Sequence, residues 1–276
     1  MAEKDSACST CGSMGTEQCS SCSETKKGHE LNNIKHVIAV MSGKGGVGKS
    51  TVAALLAVSL QKKGFKTGVL DADITGPSIP KLFGVKKAPD ASEIGMYPVK
   101  TDEGMSIMSI NLLLENEDDP VIWRGPLIAG AIKQFWEEVI WGDLDYLVVD
   151  LPPGTGDAPL TVMQSLPLDG CVVVTSPQDL AGMVVRKTIK MAKKMDIPIL
   201  GIVENMSYID CPKCGEKVYP FGEGKTELMA LEFNVPLLGT FPLKTSISSL
   251  GDAGEIEKSD DYRLLKLDKI INHHKQ

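Results

Sequence analysis

Short runs of apolar, mostly β-branched residues alternate with helical stretches along most of the chain from His36 onwards. The runs lack an alternation of polar and apolar residues, which is the pattern of strands buried on both faces of a parallel sheet. The strands are predicted at residues 37–41, 67–70, 105–110, 146–149, 171–175, 199–203 and 236–240. The main helices are predicted at residues 49–63, 126–139, 180–195 and 225–233. Repeated β–α units with right-handed crossovers predict an α/β fold with a doubly wound, mostly parallel sheet.

The first 33 residues do not share this pattern. They contain four cysteines among Ser, Thr and Gly, with almost no large apolar side chains, and so cannot bury a core alone. We therefore expect two parts, a Cys-rich extension at 1–33 and one α/β domain at 34–276. Residues 90–104 and 115–120 are predicted to be exposed loops or hairpin tips.

The C-terminal residues 260–274 place apolar side chains in helical register. With few basic residues and no Trp or Phe, this segment is predicted to pack on the core of its own domain, rather than to lie on a membrane surface. His273 and His274 are predicted to be solvated.

Composition and charge exclude several classes of partner. The net charge of −7 and the 5% aromatic content disfavour a nucleic-acid surface, and the charge also disfavours an anionic membrane. The longest apolar runs fall far short of the roughly 18 to 20 residues of a membrane span, and the N-terminus lacks an apolar signal region. We expect a cytoplasmic protein with neither nucleic acid nor membrane as a partner. In a reducing cytosol, the three Cys-x-x-Cys pairs indicate metal or redox chemistry rather than disulfides.

A glycine-rich phosphate loop lies between the first predicted strand and helix. It fits the pattern G-x-x-x-x-G-K-[ST], in which backbone N–H groups surround a phosphate at a helix N-terminus. Lys49 is predicted to reach the β- and γ-phosphates, and Ser50 to bind Mg²⁺. The candidate nucleotide-binding residues are Gly43, Lys44, Gly45, Gly46, Val47, Gly48, Lys49, Ser50 and Thr51.

Two further predicted strands lead into aspartates, which we expect to lie beside the phosphates of a bound nucleotide. Asp150 ends a hydrophobic strand, as the residue that holds the Mg²⁺ shell in such enzymes does, and Asp73 follows the second strand. A turn-rich segment at 152–157 comes next and is placed like a γ-phosphate sensor. For each aspartate alone, a helix N-cap is the alternative interpretation.

Lys44, directly after the first glycine of the loop, makes the loop resemble the deviant Walker A group of P-loop ATPases. This group includes MinD, ParA, the nitrogenase iron protein and the Mrp/ApbC proteins. The resemblance implies a sandwich homodimer in which Lys44 reaches the partner's phosphates, much as an arginine finger does. It also implies that Asp73 orients the attacking water.

Longer segments resemble the Mrp/ApbC family in particular. They lie at 73–78, 123–126, 141–157 and 204–207, and the resemblance extends from about residue 34 to 252. It implies that Asn205 contacts the adenine. Members of this family are ATP-binding carriers that assemble or hold a [4Fe–4S] cluster and pass it to apo-proteins.

Cys211 and Cys214 form a tight Cys-Pro-Lys-Cys-Gly knuckle whose two thiolates can face one metal. A [4Fe–4S] cluster or a tetrahedral sulfur site needs four thiolates, and a parallel dimer would bring two knuckles together on its two-fold axis. That arrangement is similar to the bridging cluster of the family, although zinc is an alternative because such knuckles are common in zinc ribbons. Cys171 heads an apolar strand and is predicted to be a core residue.

The N-terminal extension carries a complete set of four thiolates. Cys8 and Cys11 are separated by seven residues from Cys19 and Cys22. They could close one [4Fe–4S] or one zinc site within a chain, or relay a cluster to the knuckle. Some eukaryotic relatives carry an N-terminal cluster motif, but with a different spacing.

The sequence therefore predicts a homodimeric ATPase that uses ATP and Mg²⁺, carries a [4Fe–4S] cluster and delivers it to apo iron–sulfur proteins. ATP binding or slow hydrolysis would change the dimer geometry around the knuckle. The alternatives are a MinD- or ParA-type positioning ATPase, an electron donor like the nitrogenase iron protein, and a zinc-bound regulatory P-loop ATPase.

Overall fold

The computed structural model describes residues 28–74, 76–114 and 125–274 of the chain. Four of the predicted metal-binding residues, Cys8, Cys11, Cys19 and Cys22, lie outside these ranges. The predicted loop at 115–120 also lies outside them. What the sequence predicts for these residues stays a prediction.

The strands and helices alternate as the apolar pattern predicts, with boundaries that differ from the predicted ones by a few residues. The strands are β1 Asn33–Ser42, β2 Thr67–Asp71, β3 Asp90–Ser92, β4 Gly95–Tyr97, β5 Val99–Lys100, β6 Ser106–Ser109, β7 Asp143–Asp150, β8 Gly170–Thr175, β9 Ile199–Glu204, β10 Ile209–Asp210, β11 Lys217–Val218 and β12 Leu237–Thr240. The α-helices are α1 Lys49–Lys62, α2 Ile79–Leu82, α3 Gly125–Glu137, α4 Asp157–Ser165, α5 Asp179–Lys194, α6 Thr226–Phe233, α7 Thr245–Ala253 and α8 Asp268–His273. Short 3₁₀ helices span Ile110–Leu113, Ile256–Lys258 and Asp260–Leu264.

The main sheet has eight strands in the order β12-β9-β8-β1-β7-β2-β6-β5. All neighbours pair in parallel except β5, which is antiparallel to β6. The doubly wound, mostly parallel sheet of the prediction is therefore confirmed. The register pairs Asp150 of β7 with Val40 of β1 on one side and with Asp71 of β2 on the other. The carboxyl ends of these three strands thus meet at one edge, where α/β folds bind their ligands.

The two faces of the sheet bury separate hydrophobic clusters, as the absence of polar alternation predicts. Along β1, Val37, Ala39 and Met41 face one cluster, while Ile38 and Val40 face the other.

Helix α1 differs from its prediction. Residues 52–60 are all buried, whereas the sequence predicts a single buried stripe. The reason is a second layer, in which α2 and the C-terminal 3₁₀ turns cover the side of α1 that faces away from the sheet. A helix covered on both sides is apolar all round.

The C-terminal segment packs on the core, as predicted, but not as one helix. The helical hydrogen bonding is interrupted at Lys266, whose N–H donates to the Leu238 carbonyl of β12 at 2.7 Å. Ile270 and Ile271 of α8 are buried. The prediction that His274 is solvated is wrong, because its ring stacks on that of His36 with 4.1 Å between centroids. Within the described ranges, no helix is long and apolar enough to cross a membrane.

Candidate functional site

The phosphate loop lies at the carboxyl edge of the sheet, between the end of β1 at Ser42 and the start of α1 at Lys49. Gly46 and Gly48 have φ angles of 78° and 76°, a left-handed conformation that side chains other than glycine rarely adopt. A Cβ on Gly43 would lie 2.1 Å from Val184 Cγ1, so the loop packs tightly on α5. No side chain caps the first turn of α1, which leaves its N–H groups directed at the loop.

Lys49 is held by two carboxylates at the mouth of the loop. Its Nζ lies 2.6 Å from Asp150 Oδ1 and 3.5 Å from Asp73 Oδ2. Ser50 Oγ also accepts a bond from this amine at 3.4 Å. The side chains of Lys49, Asp73 and Asp150 are at most 9% exposed. The structure thus brings together four residues that the sequence assigns to phosphate, Mg²⁺ and catalysis.

One oxygen of Asp150 fits the predicted metal ligand. Oδ2 is buried and has no hydrogen-bond partner among the described residues. Burial raises the pKa of this carboxyl, and the ammonium of Lys49 opposes the shift. An unpartnered buried carboxylate oxygen beside the Ser50 hydroxyl is a donor set that suits Mg²⁺, which is usually bound by one or two protein oxygens, substrate phosphates and water.

Asp71 is a residue of this site to which the sequence gives no role. Its carboxylate accepts hydrogen bonds from the N–H groups of Asp73, Ser78 and Ile79 at 3.0 to 3.1 Å. Burial, and then the charge of Asp150, raise the pKa of Asp71 to about 8. Asp71 therefore fixes the backbone that presents Asp73. The Asp-x-Asp ending of β2 is the signal that could have identified it.

Lys44, the second lysine of the loop, does not join this cluster. Its amine donates a hydrogen bond to Gln178 Oε1, in the turn before α5. The side chain therefore extends across the loop, away from the carboxylates that hold Lys49.

Asn205 follows β9 and closes the other side of the loop. Its Nδ2 donates to the Val47 carbonyl at 2.9 Å, and the side chain is buried. A Cβ on Gly48 would lie 2.2 Å from this nitrogen, so the glycine also makes room for the amide. Asn205 therefore lies beside the phosphate loop, and its contact to a nucleotide base stays a prediction.

The cysteine knuckle forms the tip of the β10–β11 hairpin. The Cys211 N–H donates to the Glu216 carbonyl at 2.9 Å, and the Gly215 N–H to the Cys211 carbonyl at 2.8 Å. Hydrogen bonds from the backbone N–H groups of Cys214 and Lys213 lower the pKa of the Cys211 thiol. The thiolate is the form that binds metal, so the backbone prepares Cys211 as a ligand.

The knuckle supplies two thiolates. Cys211 is partly exposed and Cys214 is exposed, so both can reach a group outside the chain. In the part of the chain that the structure describes, no third His, Cys, Asp or Glu completes a metal site with them. Cys171 is fully buried, and burial raises its pKa to about 12, which confirms it as a core residue.

A family model described as NUBPL iron-transfer P-loop NTPase matches residues 33–273. The iron–sulfur cluster carrier protein of Methanocaldococcus jannaschii is 48% identical over 265 residues, covering 92% of this chain and 90% of the relative. A nucleotide-binding protein of Archaeoglobus fulgidus, solved in complex with ADP, is 49% identical with a TM-score of 0.76, covering 83% of this chain and 91% of that one. The cell-division ATPase MinD of Pyrococcus furiosus is 21% identical with a TM-score of 0.59, covering 86% and 99%, and shares the fold.

The residues that the family model matches include the phosphate loop, Asp71, Asp73, Asp150 and the cysteine knuckle. The resemblance that the sequence motifs indicate is therefore confirmed over most of the chain. The protein belongs to the family of NUBPL iron-transfer P-loop NTPases.

Proposed function

We propose that this ATPase is a carrier that binds a [4Fe–4S] cluster as cargo through Cys211 and Cys214 and transfers it to apo iron–sulfur proteins. One observation carries the proposal: the cysteine hairpin follows β9 and Asn205, on the edge of the sheet that holds the phosphate loop. Nucleotide and cargo would therefore act on neighbouring parts of one edge. The relatives named as iron–sulfur cluster carriers support this function, whereas the likeness to MinD is one of fold.

The cargo site is completed by a second copy of the chain. A [4Fe–4S] cluster takes four thiolates, and each knuckle supplies two. In a parallel homodimer the two exposed knuckles face each other across the two-fold axis, as an isologous contact requires. The lowered pKa of the Cys211 thiol favours the thiolate that ligates iron.

The nucleotide site has a role for each clustered side chain. Lys49 binds the β- and γ-phosphates, Ser50 and Asp150 hold Mg²⁺, and Asp73 orients the attacking water. Bound Mg²⁺ neutralises phosphate charge during hydrolysis. Lys44 releases Gln178 and reaches the phosphates of the partner subunit in the homodimer. Asn205 contacts the adenine.

The N-terminal segment at 1–33 supplies a second set of cysteines, in addition to the knuckle of the ATPase domain at 34–276. Its four thiolates, from Cys8, Cys11, Cys19 and Cys22, are enough for one cluster within a chain. The protein works in the cytoplasm, where thiols stay reduced.

A transfer assay tests this function. The chain is reconstituted anaerobically with iron and sulfide and mixed with an apo-ferredoxin that takes a [4Fe–4S] cluster, with a chelator present and with or without Mg-ATP. We expect the acceptor to gain its cluster faster than from free iron and sulfide. The Cys211→Ser/Cys214→Ser variant should lose this advantage, and Cys171→Ala, which removes a buried core thiol, should keep it. Equal transfer by the double variant and the wild type would contradict the proposal.

A further inference from the structure

Glu204 is a buried carboxylate at the end of β9 that the nucleotide site does not use. It is 4% exposed, and each of its two oxygens accepts a hydrogen bond from a different hydroxyl. Ser207 Oγ donates to Oε1 at 2.5 Å, and Thr226 Oγ1 donates to Oε2. Burying a carboxylate costs free energy unless such bonds compensate it. An apolar side chain could fill the same space without this desolvation cost, so stability alone does not explain a glutamate here.

The two hydroxyl residues flank the cysteine knuckle in the sequence. Ser207 comes directly before residues 208–225, the cysteine loop, and Thr226 directly follows them. Glu204 therefore closes the base of this loop with one oxygen for each end. Gly224 packs against the same carboxylate, because a Cβ there would lie 2.0 Å from Glu204 Oε2.

The backbone at Glu204 and Asn205 is fixed by the two strands next to β9 and leads directly into the nucleotide site. The Phe241 N–H donates to the Glu204 carbonyl at 2.8 Å, and the Asn205 N–H donates to the Thr175 carbonyl at 2.8 Å. The Asn205 side chain then reaches the phosphate loop at Val47. Neighbouring residues thus contact the phosphate loop and the base of the cysteine loop.

Beside the carboxylate lies a cavity of about 210 Å³ lined by Glu204, Ser207, Tyr219 and Thr226, among others. Its walls come from β9, from β12, from the cysteine loop and from the start of α6.

We propose that Glu204 is a positioning residue that couples the nucleotide site to the cysteine loop. A change at Asn205 on nucleotide binding moves the adjoining carboxylate, and its two hydrogen bonds pass the change to both ends of the loop. The proposal rests on the proposed function for the nucleotide contact of Asn205 and for the identity of the cargo. The coupling itself is a difference in loop stability between the free and the nucleotide-bound chain.

Hydrogen exchange of the loop amides in the full chain, with and without ADP, tests the coupling. In the wild type we expect ADP to slow exchange within residues 208–225. Thr226→Val keeps the shape of the side chain but removes one tether. In this variant we expect exchange to be at least about tenfold faster, since a hydrogen bond to a charged acceptor contributes roughly ten- to hundredfold to a local opening equilibrium. We also expect a weaker response to ADP, because Ser207 still tethers the other end of the loop. Its affinity for ADP should stay within about twofold of the wild type.

Thr67→Val is the matched control, because it removes the hydroxyl of another buried threonine, which bonds to the Phe65 carbonyl. The control should keep the ADP response of the loop. Ser207→Ala tests the second tether and should weaken the response in the same direction. The coupling is refuted if ADP leaves loop exchange unchanged in the wild type, if Thr226→Val keeps the full response, or if the response is lost only together with ADP affinity.

The cargo is tested separately from the coupling. A chain that binds no iron and sulfide, but shows an ADP response that Thr226→Val weakens, refutes the carrier function and supports the coupling. In a chain that does carry the cluster, Thr226→Val should hold as much iron as the wild type, and ADP should change the rate of its release to a chelator less than in the wild type. An unchanged effect of ADP on release would refute the coupling and leave the carrier function standing.

Discussion

The buried contact between Lys49 and Asp150 makes a quantitative prediction about stability. Their charged atoms lie 2.6 Å apart, with side-chain exposures of 6% and 0%. Lys49→Met removes the ammonium and leaves the carboxylates of Asp150 and Asp73 buried without it. Breaking a buried pair in this way costs about 3–5 kcal/mol, so we expect a loss of this size in the free energy of unfolding.

Asp150→Asn should cost less, roughly 1–3 kcal/mol, because Lys49 keeps Asp73 at 3.5 Å and the new amide oxygen can still accept its hydrogen bond. The Asn side chain also removes the charge that raises the pKa of Asp71. In the double variant neither charge of the Lys49–Asp150 pair is left behind, and only Asp73 still loses the ammonium, so its loss should be smaller than the sum by about 2 kcal/mol.

Urea unfolding of the four proteins at neutral pH measures this coupling, provided that the slopes of the transitions agree. The matched control is the pair formed by Lys35 and Asp145, which has a similar distance of 2.7 Å but side-chain exposures of 61% and 23%. Its coupling energy should be clearly smaller, because solvent screens an exposed pair. Additive effects at the buried pair, or a larger loss for Asp150→Asn than for Lys49→Met, would refute the reasoning.

Two further predictions concern the nucleotide and the C-terminus. Asn205→Ala removes the bond to Val47 and should weaken ADP binding about tenfold by calorimetry; unchanged affinity would contradict the site. Burial, and then His36 and His273, lower the pKa of His274 to about 4, while Asp169 opposes the shift. An unfolded chain takes up this proton at about 6.5, so stability should fall as the pH drops from about 6.5 towards 4. His274→Gln should flatten that fall and His273→Gln should not; equal pH profiles would refute it.

The topology of the sheet could be predicted from the sequence because its strands are buried on both faces. Continuous apolar runs such as residues 171–175 have one good explanation in an α/β chain, a central parallel strand. The extent of burial around α1 could not be predicted in this way. Its outer face is covered by turns near the C-terminus, and periodicity within one helix carries no information on a layer so distant along the chain.

The same distinction, between local motifs and contacts that only the fold creates, applies to the residues of the candidate site. Lys49, Asp73, Asp150 and Asn205 could be predicted because each occupies a fixed place in a motif at a strand end. Glu204 could not, since its importance lies in the hydrogen bonds that it accepts from separate segments. A single carboxylate in a sequence does not reveal which donors the fold brings to it.

The shape of the cysteine loop could not be predicted. The Cys-x-x-Cys spacing indicates a knuckle, and the structure shows that this knuckle is the tip of the β10–β11 hairpin, which follows β9 and Asn205. In the proposed coupling, this position connects the cysteine loop to the nucleotide site.

The central claim, that Cys211 and Cys214 hold a shared iron–sulfur cluster, is tested most directly by counting iron, sulfide and zinc per chain in anaerobically purified and reconstituted protein. A [4Fe–4S] cluster shared by two chains predicts that Cys211→Ser/Cys214→Ser loses about two irons and two sulfides per chain. Iron that remains in this variant would belong to Cys8, Cys11, Cys19 and Cys22. Zinc without sulfide in the wild type, or an iron content that the double variant does not change, would contradict the claim.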